Sequence, residues 1–277
     1  MSPRTYWPAP EGTRVVVTGY AFADGNVLTD PSLPVESMDS QIHTAILSYM
    51  QTFGLLGRTA NILVEVPYSW ARSKGFLLGE PVQRTYSGVN DLGVALGVNL
   101  IGAPSMGPKE FVDLRANPRP IVGASLKVVA PTGDYDWGRL LNLGTNRWAF
   151  RPRVGCILPL TSRWHLELEA GAWIFTDDND FVAGERKQNP IVSGEVHIVR
   201  RFKPGFWMSL ESTYFKGGRQ TIGGDRLVDE QDNLRAGVTV ALPVAKNQVI
   251  KIGFSTSVVT DFGNDFDEGL ITYGIAF

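Results

Sequence analysis

The sequence offers little material for a site built on histidine or cysteine. The chain of 277 residues contains three histidines and one cysteine. A hydrolase would need His165 or His197 beside a hydroxyl such as that of Ser193 or Ser209, together with a third orienting group. The sequence lacks the G-x-S-x-G motif that presents such a serine on a sharp turn. A lipid hydrolase therefore stays only an alternative, and Cys156 is expected to be a packing residue.

Pairs of like charges form a second candidate constellation. Arg151 and Arg153 are separated by one residue, as are Glu167 and Glu169 further along the chain. In an extended chain, both members of such a pair point to the same side. They could set the electrostatic field of a pore constriction, or they could form salt bridges that fill a narrow interior. We favour the structural role, and the two roles are compatible.

Acidic residues gather in two polar stretches, which raises the question of a calcium site. Carboxylates are suitable Ca²⁺ ligands, but neither stretch follows the EF-hand spacing. We expect solvated loops, bridged by divalent ions to lipopolysaccharide, and a turn around Asp134. No cofactor and no bound metal ion are predicted. The two acidic groups are Asp177, Asp178 and Asp180, and Asp261, Asp265 and Asp267.

The elements that carry these residues have a period of two. From Trp164 to Ile174, apolar side chains occupy every second position, with His165, Glu167 and Glu169 between them. That separation onto two faces is typical of a β-strand and not of a helix. About twelve such segments cover about half of the chain. They run over 13–23, 38–52, 58–70, 86–101, 119–131, 147–159, 163–176, 189–201, 205–216, 231–242, 247–259 and 268–277.

The lengths of the segments and of their connections favour a membrane barrel. Most segments have about 10–14 residues, whereas soluble strands average about 5–6 and tilted membrane strands need about 9–11. Short connections alternate with long polar ones, as in outer-membrane barrels. The connection over 102–118 is long where a short one is expected, and residues 109–115 within it indicate a short helix that begins near Pro108.

One face of each segment is nearly free of charge, and the opposite face collects acidic and basic residues in equal number. In a barrel, the charged face would line the interior as a balanced network. In a soluble sandwich it would face water, so that alternative stays open. The predicted lining of a solute path is Glu65, Lys127, Arg151, Arg153, Glu167, Glu169, Glu195, His197, Glu211, Arg235 and Lys251.

Aromatic residues near the predicted strand ends favour the membrane, because Trp and Tyr collect at both membrane interfaces. One belt is expected toward the long loops and the other toward the short turns. The first contains Tyr68, Trp70, Trp173, Phe175, Tyr214 and Phe215, and the second Tyr49, Phe53, Trp164, Phe206, Trp207, Tyr273 and Phe277.

Net charge and the N-terminal residues add two further expectations. The 26 basic and 28 acidic residues nearly cancel, which gives no reason to expect a nucleic-acid partner. Residues 1–10 lack the basic and apolar regions of a signal peptide, so we interpret the leader as cleaved or missing. We expect one domain over 1–277, with 1–12 as an N-terminal periplasmic extension.

Several motifs resemble known outer-membrane proteins. The alternation of Ile271, Tyr273, Ile275 and Phe277 is similar to the C-terminal signal by which such proteins are recognised for assembly. Other short, glycine-rich stretches resemble the outer-membrane transporters of the "MetA-pathway of phenol degradation" family, over nearly the whole chain. The resemblance implies passage of small hydrophobic or aromatic compounds. These stretches are 6–13, 87–93, 131–135 and 142–147.

We therefore predict an all-β fold, a single antiparallel transmembrane β-barrel of about twelve strands in the Gram-negative outer membrane, with short periplasmic turns and longer extracellular loops. The predicted function is a porin-like channel or transporter for passive uptake of small hydrophobic or aromatic solutes, without catalysis. Predicted partners are that solute, outer-membrane lipids and lipopolysaccharide, and the barrel-assembly machinery, with no nucleic acid. The alternatives are a barrel enzyme that hydrolyses lipid, a closed structural barrel and a soluble β-sandwich.

Overall fold

The described chain is almost entirely β-strand. The computed structural model describes residues 3–26, 36–77, 80–139, 141–261 and 265–277. Within these ranges, one helix, α1, spans Pro108–Ala116. Short strands β9 (Arg186–Gln188), β12 (Gln220–Ile222) and β13 (Asp225–Arg226) form a small separate sheet. The long strands are β1 (Arg14–Asn26), β2 (Glu36–Leu55), β3 (Arg58–Leu77), β4 (Glu80–Val89), β5 (Leu92–Ile101), β6 (Ile121–Ala130), β7 (Ala149–Pro159), β8 (Trp164–Phe175), β10 (Ile191–Lys203), β11 (Phe206–Gly217), β14 (Gln231–Ala245), β15 (Gln248–Thr260) and β16 (Asp265–Ala276).

Antiparallel pairing closes the long strands into a barrel. The order is β1-β2-β3-β5-β6-β7-β8-β10-β11-β14-β15-β16, and β16 pairs back onto β1 with Val15 opposite Ala276. β4 pairs with one half of β3 and β5 with the other half, so β4 and β5 together occupy one position. The predicted twelve-stranded barrel is confirmed. A closed single sheet also excludes the two-sheet sandwich that the sequence left open.

The two ends of the barrel differ in their connections. The first barrel strand begins and the last barrel strand ends at the same end of the barrel, because the number of strands is even. At this end, residues with positive φ reverse the chain in three tight turns, namely Leu56 (49°), Gly205 (80°) and Asn247 (59°). Three connections at the opposite end are longer, over 131–148, 176–190 and 218–230. We refer to the first as the periplasmic end and to the second as the extracellular end, following the orientation of outer-membrane barrels.

Helix α1 occupies the one long periplasmic connection. It confirms the helix predicted at 109–115 and begins at Pro108, where the missing N–H costs nothing. The Gly107 N–H donates a hydrogen bond to Glu110 Oε2 at 3.0 Å, which caps the first turn. Leu114 is the buried residue of this helix and points to the barrel. Within the described ranges, no helix is both long enough and apolar enough to span a bilayer.

The outer surface of the barrel is apolar. Outward positions carry exposed aliphatic side chains, such as Leu47 (54%), Val154 (51%) and Leu210 (65%). A soluble protein rarely exposes a contiguous apolar surface of this extent. Lipid is the environment in which such a band is stable.

The predicted aromatic belts are only partly right. Tyr68 and Trp70 are exposed on the outer face, but Trp207 is 6% exposed and faces the interior. The prediction is wrong for the inward residues because the odd or even position of a residue along its strand, and not its distance from the strand end, decides whether the side chain points inward or outward. The outward members are Tyr49, Phe53, Tyr68, Trp70, Trp164, Phe206, Tyr214 and Tyr273, and the inward members are Trp173, Phe175, Trp207 and Phe215.

Candidate functional site

The inner wall of the barrel carries the residues predicted to line a solute path. Side chains alternate between the inner and the outer face along each strand, and inward residues pair with inward residues on the next strand. Lys127 therefore lies opposite Arg151, and Glu169 lies opposite Glu195. The structure brings the side chains of all eleven residues onto this inner wall. They come from β3, β6, β7, β8, β10, β11, β14 and β15, and none of them lies on β16, β1 and β2 or on β4 and β5.

Cross-strand ion pairs neutralise most of these charges. Pairing offsets the cost of removing charges from water in a narrow interior. The Arg151 guanidinium also lies 5.2 Å from the centroid of the Trp173 ring, a cation–π contact. The salt bridges predicted for Arg151 and Arg153 are therefore present. The cross-strand pairs are Lys127–Glu65, Arg151–Glu195 at 2.7 Å and Arg153–Glu169 at 3.1 Å, and within β10 the His197 Nε2 atom lies 3.5 Å from Glu195 Oε2.

Two further lining residues are held by uncharged partners. Glu211 accepts a hydrogen bond from the Ser209 hydroxyl at 2.6 Å. Arg235 donates to the Phe266 carbonyl at 3.0 Å, and its guanidinium lies 3.8 Å from the centroid of that ring. These contacts fix the side chains against the wall, so the lining is ordered.

The part of the predicted N-terminal extension around Tyr6 lies inside the periplasmic end of the barrel. The ring of Tyr6, which is 6% exposed, packs against Gly123 and Gly155, and these two face each other across β6 and β7. A Cβ at Gly155 would lie 2.7 Å from Tyr6 Cε2. The Tyr6 and Ser125 hydroxyls are 3.2 Å apart. The paired glycines therefore form a notch that admits the tyrosine ring.

Arg4 and Trp7 extend this packing toward β8 and β10. The Arg4 N–H donates to Glu167 Oε2 at 2.6 Å, and its guanidinium lies 4.4 Å from the Trp7 ring centroid. The Trp7 ring contacts His165 edge-on at 5.5 Å, and the Arg201 guanidinium lies 5.1 Å from it. Burial lowers the pKa of Arg4 to about 10, and the Glu167 carboxylate opposes this change. Sequence reasoning missed this cluster, although two inward glycines on adjacent strands could have indicated a docked ring.

The long periplasmic connection packs beneath the N-terminal segment. Leu114 of α1 and Met106 join Tyr6 in one apolar cluster with the inward-facing Ile121 and Ile157. The N-terminal segment and α1 thus fill the base of the barrel together. This explains why the connection over 102–118 is long where the others are short.

The connection after β6 folds into the barrel at the extracellular end. Leu143 is buried against Ile42, Ala71 and Tyr86, all on inward positions. The neighbouring Leu141 carbonyl accepts a hydrogen bond from Arg84 at 2.9 Å. Residues 131–148, which we name the inner loop, therefore narrow the interior from this side; residue 140 lies outside the described ranges.

Three of the four motif stretches meet at the base of the inner loop. The Asp91 carboxylate accepts hydrogen bonds from the Gly133 N–H at 2.8 Å and from the N–H and hydroxyl of Thr145 at 2.8 and 2.7 Å. Asp134 Oδ2 accepts one from the Val89 N–H at 2.9 Å. The predicted turn at Asp134 thus anchors the loop to the bend between β4 and β5. The fourth stretch contains Tyr6 and fills the opposite end.

The residues considered for hydrolysis do not form a catalytic arrangement. His165 packs against Trp7, and Ser209 donates to Glu211. Among the hydrogen bonds of the described residues, none joins either inward histidine to Ser193 or Ser209.

The expectation of a solvated loop is wrong for Asp178. Asp178 is 1% exposed and lies 3.6 Å from Arg186, whose side chain is also buried. Asn146 Nδ2 and the Tyr135 hydroxyl donate to its two carboxylate oxygens at 2.8 and 3.2 Å. Burial was not foreseeable because Asn146 and Tyr135, which complete its hydrogen bonds, belong to a different loop, whereas Arg186 lies in the same connection. In the described part of the chain, no group of three or more His, Cys, Asp or Glu residues could hold a metal ion.

A closed twelve-stranded barrel with an apolar outside and a charged inner wall is the architecture of outer-membrane β-barrel proteins. Residues 13–263 match the family described as "Putative MetA-pathway of phenol degradation". The chain belongs to this family, which confirms the resemblance drawn from its motifs. No curated protein matches the chain.

Solved structures share the fold at low sequence identity. The COG4313 outer membrane channel from Pseudomonas putida F1 is 18% identical, with a TM-score of 0.81 and 100% of each chain covered. The β domain of the Bordetella autotransporter BrkA is 11% identical, with a TM-score of 0.55 over 96% of this chain and 100% of that one. The transport unit of the autotransporter AIDA-I from Escherichia coli is 11% identical, with a TM-score of 0.52 over 100% of this chain and 93% of that one. At these identities the likeness shows the fold alone.

Proposed function

We propose that the protein is a channel of the Gram-negative outer membrane for passive uptake of small hydrophobic or aromatic solutes. One observation carries the proposal, a mostly apolar band on the inner wall that faces the charged strands and whose charged residue is Glu268, opposite Ala23 near the extracellular end. Its apolar members, which we name the apolar strip, are Val15, Val17, Gly19, Ala21 and Ala23 of β1, Ile42, Ile46 and Met50 of β2, and Leu270, Gly274 and Ala276 of β16.

The apolar strip offers a surface along which a hydrophobic solute can move. Most of its residues are only half-buried, so they border open space inside the barrel. A solute gains about 25 cal/mol for each Å² of apolar surface that leaves water. An ion gains nothing there, and the paired charges of the opposite wall give it little attraction. The wall therefore favours uncharged solutes over ions.

The comparisons agree with this proposal. The structure with the highest overlap reported above is described as an outer membrane channel, and the family description refers to phenol degradation. Both descriptions fit a conduit for aromatic compounds and support the channel over an enzyme.

A closed structural barrel is the second candidate, and one observation favours it. The N-terminal segment fills the periplasmic end, while the inner loop enters from the extracellular end. A barrel that stays in this state would conduct little. Flux through the reconstituted protein separates the two candidates.

The test is the uptake of phenol by liposomes that contain the protein, compared between two matched variants. Ala21, Leu270, Gly253 and Thr239 lie in one row of cross-strand partners. Ala21→Asp places a carboxylate in the apolar strip, and Thr239→Asp places it in the same row outside the strip. We expect Ala21→Asp to slow phenol uptake at least about fivefold, equivalent to about 1 kcal/mol, and Thr239→Asp to have a much smaller effect.

The outcomes separate the candidates. Equal rates for the two variants would refute a path along the apolar strip. An absence of protein-dependent uptake in the wild type and in both variants would favour the closed barrel. Detergent-purified samples must first show the gel shift on boiling that folded barrels give, so that only folded protein is used in the uptake measurement.

We also propose partners for the outer surface and the C-terminus. Lipid would contact the apolar outer band, and divalent ions would bridge Asp261, Asp265 and Asp267 to lipopolysaccharide. Ile271 and Ile275 point outward on β16, and Phe277 is 63% exposed, as recognition by the barrel-assembly machinery requires. Deletion of Phe277 should lower the folded fraction recovered from outer membranes, whereas Lys246→Ala in a periplasmic turn should not.

A further inference from the structure

A cavity of about 630 Å³ lies among the extracellular loops, outside the strand-lined interior. Tyr135 and Trp137 of the inner loop line one side, and Phe181 and Val182 of the next connection line the other. Small-molecule sites are concave, lined mainly by apolar and aromatic side chains, and of this order of size. None of these residues belongs to the predicted solute path.

The floor of the cavity is rigidly built. Phe181 is 5% exposed, and the Arg186 guanidinium lies 4.8 Å from its ring centroid. Arg186 in turn pairs with Asp178, and both side chains are fully buried. The Tyr135 hydroxyl donates to the same Asp178 carboxylate. A site held in this way loses little freedom when a ligand binds.

The open side of the cavity presents an unusual side chain for a loop. Trp137 is 75% exposed and Val182 is 44% exposed. A large exposed aromatic residue beside a preformed apolar floor offers a stacking partner for an aromatic ring.

The charge of the lining restricts the ligand. Asp180 is the charged residue of the lining, and no cationic side chain of the described chain forms an ion pair with it. A carboxylate at the rim attracts an ammonium group and repels a carboxylate, while an uncharged solute is unaffected. The lining therefore selects by charge as well as by shape.

Apolar contacts connect the cavity with the interior. Leu141 packs against the cluster that contains Phe181 and also against the cluster that contains Leu143 and Ile42. Ile42 belongs to the apolar strip, so contacts between packed apolar side chains connect the lining of the cavity with the strip.

From this geometry we propose that the cavity is a capture site for uncharged or cationic aromatic solutes of one or two rings, with Trp137 as the stacking partner and Asp180 as the group that excludes anions. The site would deliver solutes to the proposed channel, so its biological role rests on the proposed function. Its ligand binding is a separate property and is measured separately.

The test uses three probes of nearly equal size and different charge, namely 2-phenylethylamine, 2-phenylethanol and phenylacetate. Calorimetric titration of the full-length protein in lipid nanodiscs, against empty nanodiscs, gives the three affinities. We expect the amine and the alcohol to bind and phenylacetate to bind about two- to fivefold more weakly than the alcohol, as one exposed like charge implies.

Variants locate the site. Trp137→Ala should weaken the amine and the alcohol about tenfold, the upper range for loss of one aromatic contact. Trp148→Ala is the control, because Trp148 is 46% exposed and lies outside the lining. Asp180→Asn should abolish the difference between alcohol and phenylacetate and leave alcohol binding unchanged.

Each result bears on the proposal. Unchanged alcohol binding in Trp137→Ala, or equal binding of phenylacetate and alcohol by the wild type, would overturn the capture site even if phenol uptake by liposomes is normal. Binding that follows the expected order supports the capture site even if no uptake occurs, in which case the channel proposal alone fails.

Discussion

Substitution of Gly123 by alanine should release the N-terminal segment from the base of the barrel. An added Cβ at Gly123 would collide with the ring of Tyr6, and its three nearest neighbours are all atoms of that ring. The collision therefore involves one docked side chain and no backbone of the barrel. The strands should keep their pairing while Tyr6 leaves the notch.

The size of the effect follows from what Tyr6 loses. A buried aromatic side chain hides about 150–250 Å², worth about 4–6 kcal/mol at about 25 cal/mol per Å² as an upper limit. The hydrogen bond with Ser125 adds about 1 kcal/mol. The ring retains part of its burial after it shifts, and overpacking substitutions cost about 1–3 kcal/mol. We therefore expect the docked state to be destabilised by about 2–3 kcal/mol, a factor of about 30–150 in its population.

Two measurements report this change. Planar-bilayer recordings should show a larger or more frequent open state in Gly123→Ala, because the base is less often filled. Mass spectrometry after brief trypsin treatment should show faster cleavage at Arg4, whose N–H is held by Glu167 and whose guanidinium packs on Trp7 in the wild type.

A matched glycine provides the control for this prediction. Gly253 also faces inward, but an added Cβ there would meet its nearest neighbour, Thr239 Oγ1, at an ordinary 3.5 Å. Gly253→Ala should therefore behave as the wild type. If Gly123→Ala shows wild-type conductance and wild-type cleavage at Arg4, the notch does not hold the segment and the reasoning is refuted.

Further predictions concern the buried charges. Arg153→Met should leave Glu169 unpaired and cost about 3–5 kcal/mol, seen as a lower temperature for the gel shift on heating, and adding Glu169→Gln should restore most of it. Asp91→Ala should make the inner loop sensitive to protease while the barrel stays folded, with Asp91→Asn intermediate because its amide keeps one acceptor oxygen; equal protease resistance of all three proteins would contradict the anchoring role. Arg186→Ala should strand the buried Asp178 and weaken alcohol binding in the nanodisc titration, whereas wild-type binding would show that the ion pair does not support the cavity floor.

Strand parity explains how much of the fold was predictable. The alternation around Glu167 and Glu169 places both on the inner wall without knowledge of any partner, because each strand is covered by lipid on one side. The same rule would have placed Trp173 and Trp207 inside. Their short distance from a strand end, taken alone, favours an interface belt, and this is why the predicted belts contain them.

The two filled ends were not predictable in the same way. Tyr6 precedes the first strand, and its position depends on a notch formed by Gly123 and Gly155, more than a hundred residues away. Asp178 is likewise buried by Tyr135 and Asn146, which belong to the inner loop more than thirty residues earlier in the chain. Such contacts have no periodicity, so only the folded arrangement reveals them.

The pairing of the first and last barrel strands has a consequence for the order of folding. Arg14 and Phe277 exchange two backbone hydrogen bonds, at 3.1 and 2.9 Å, between opposite ends of the chain. Contacts between such distant positions form slowly, since they carry the greatest loss of chain entropy. Closure must therefore wait for the last strand, while neighbouring hairpins can form earlier. The segment with Tyr6 packs inside the closed barrel, so it is enclosed only after the last strand has paired.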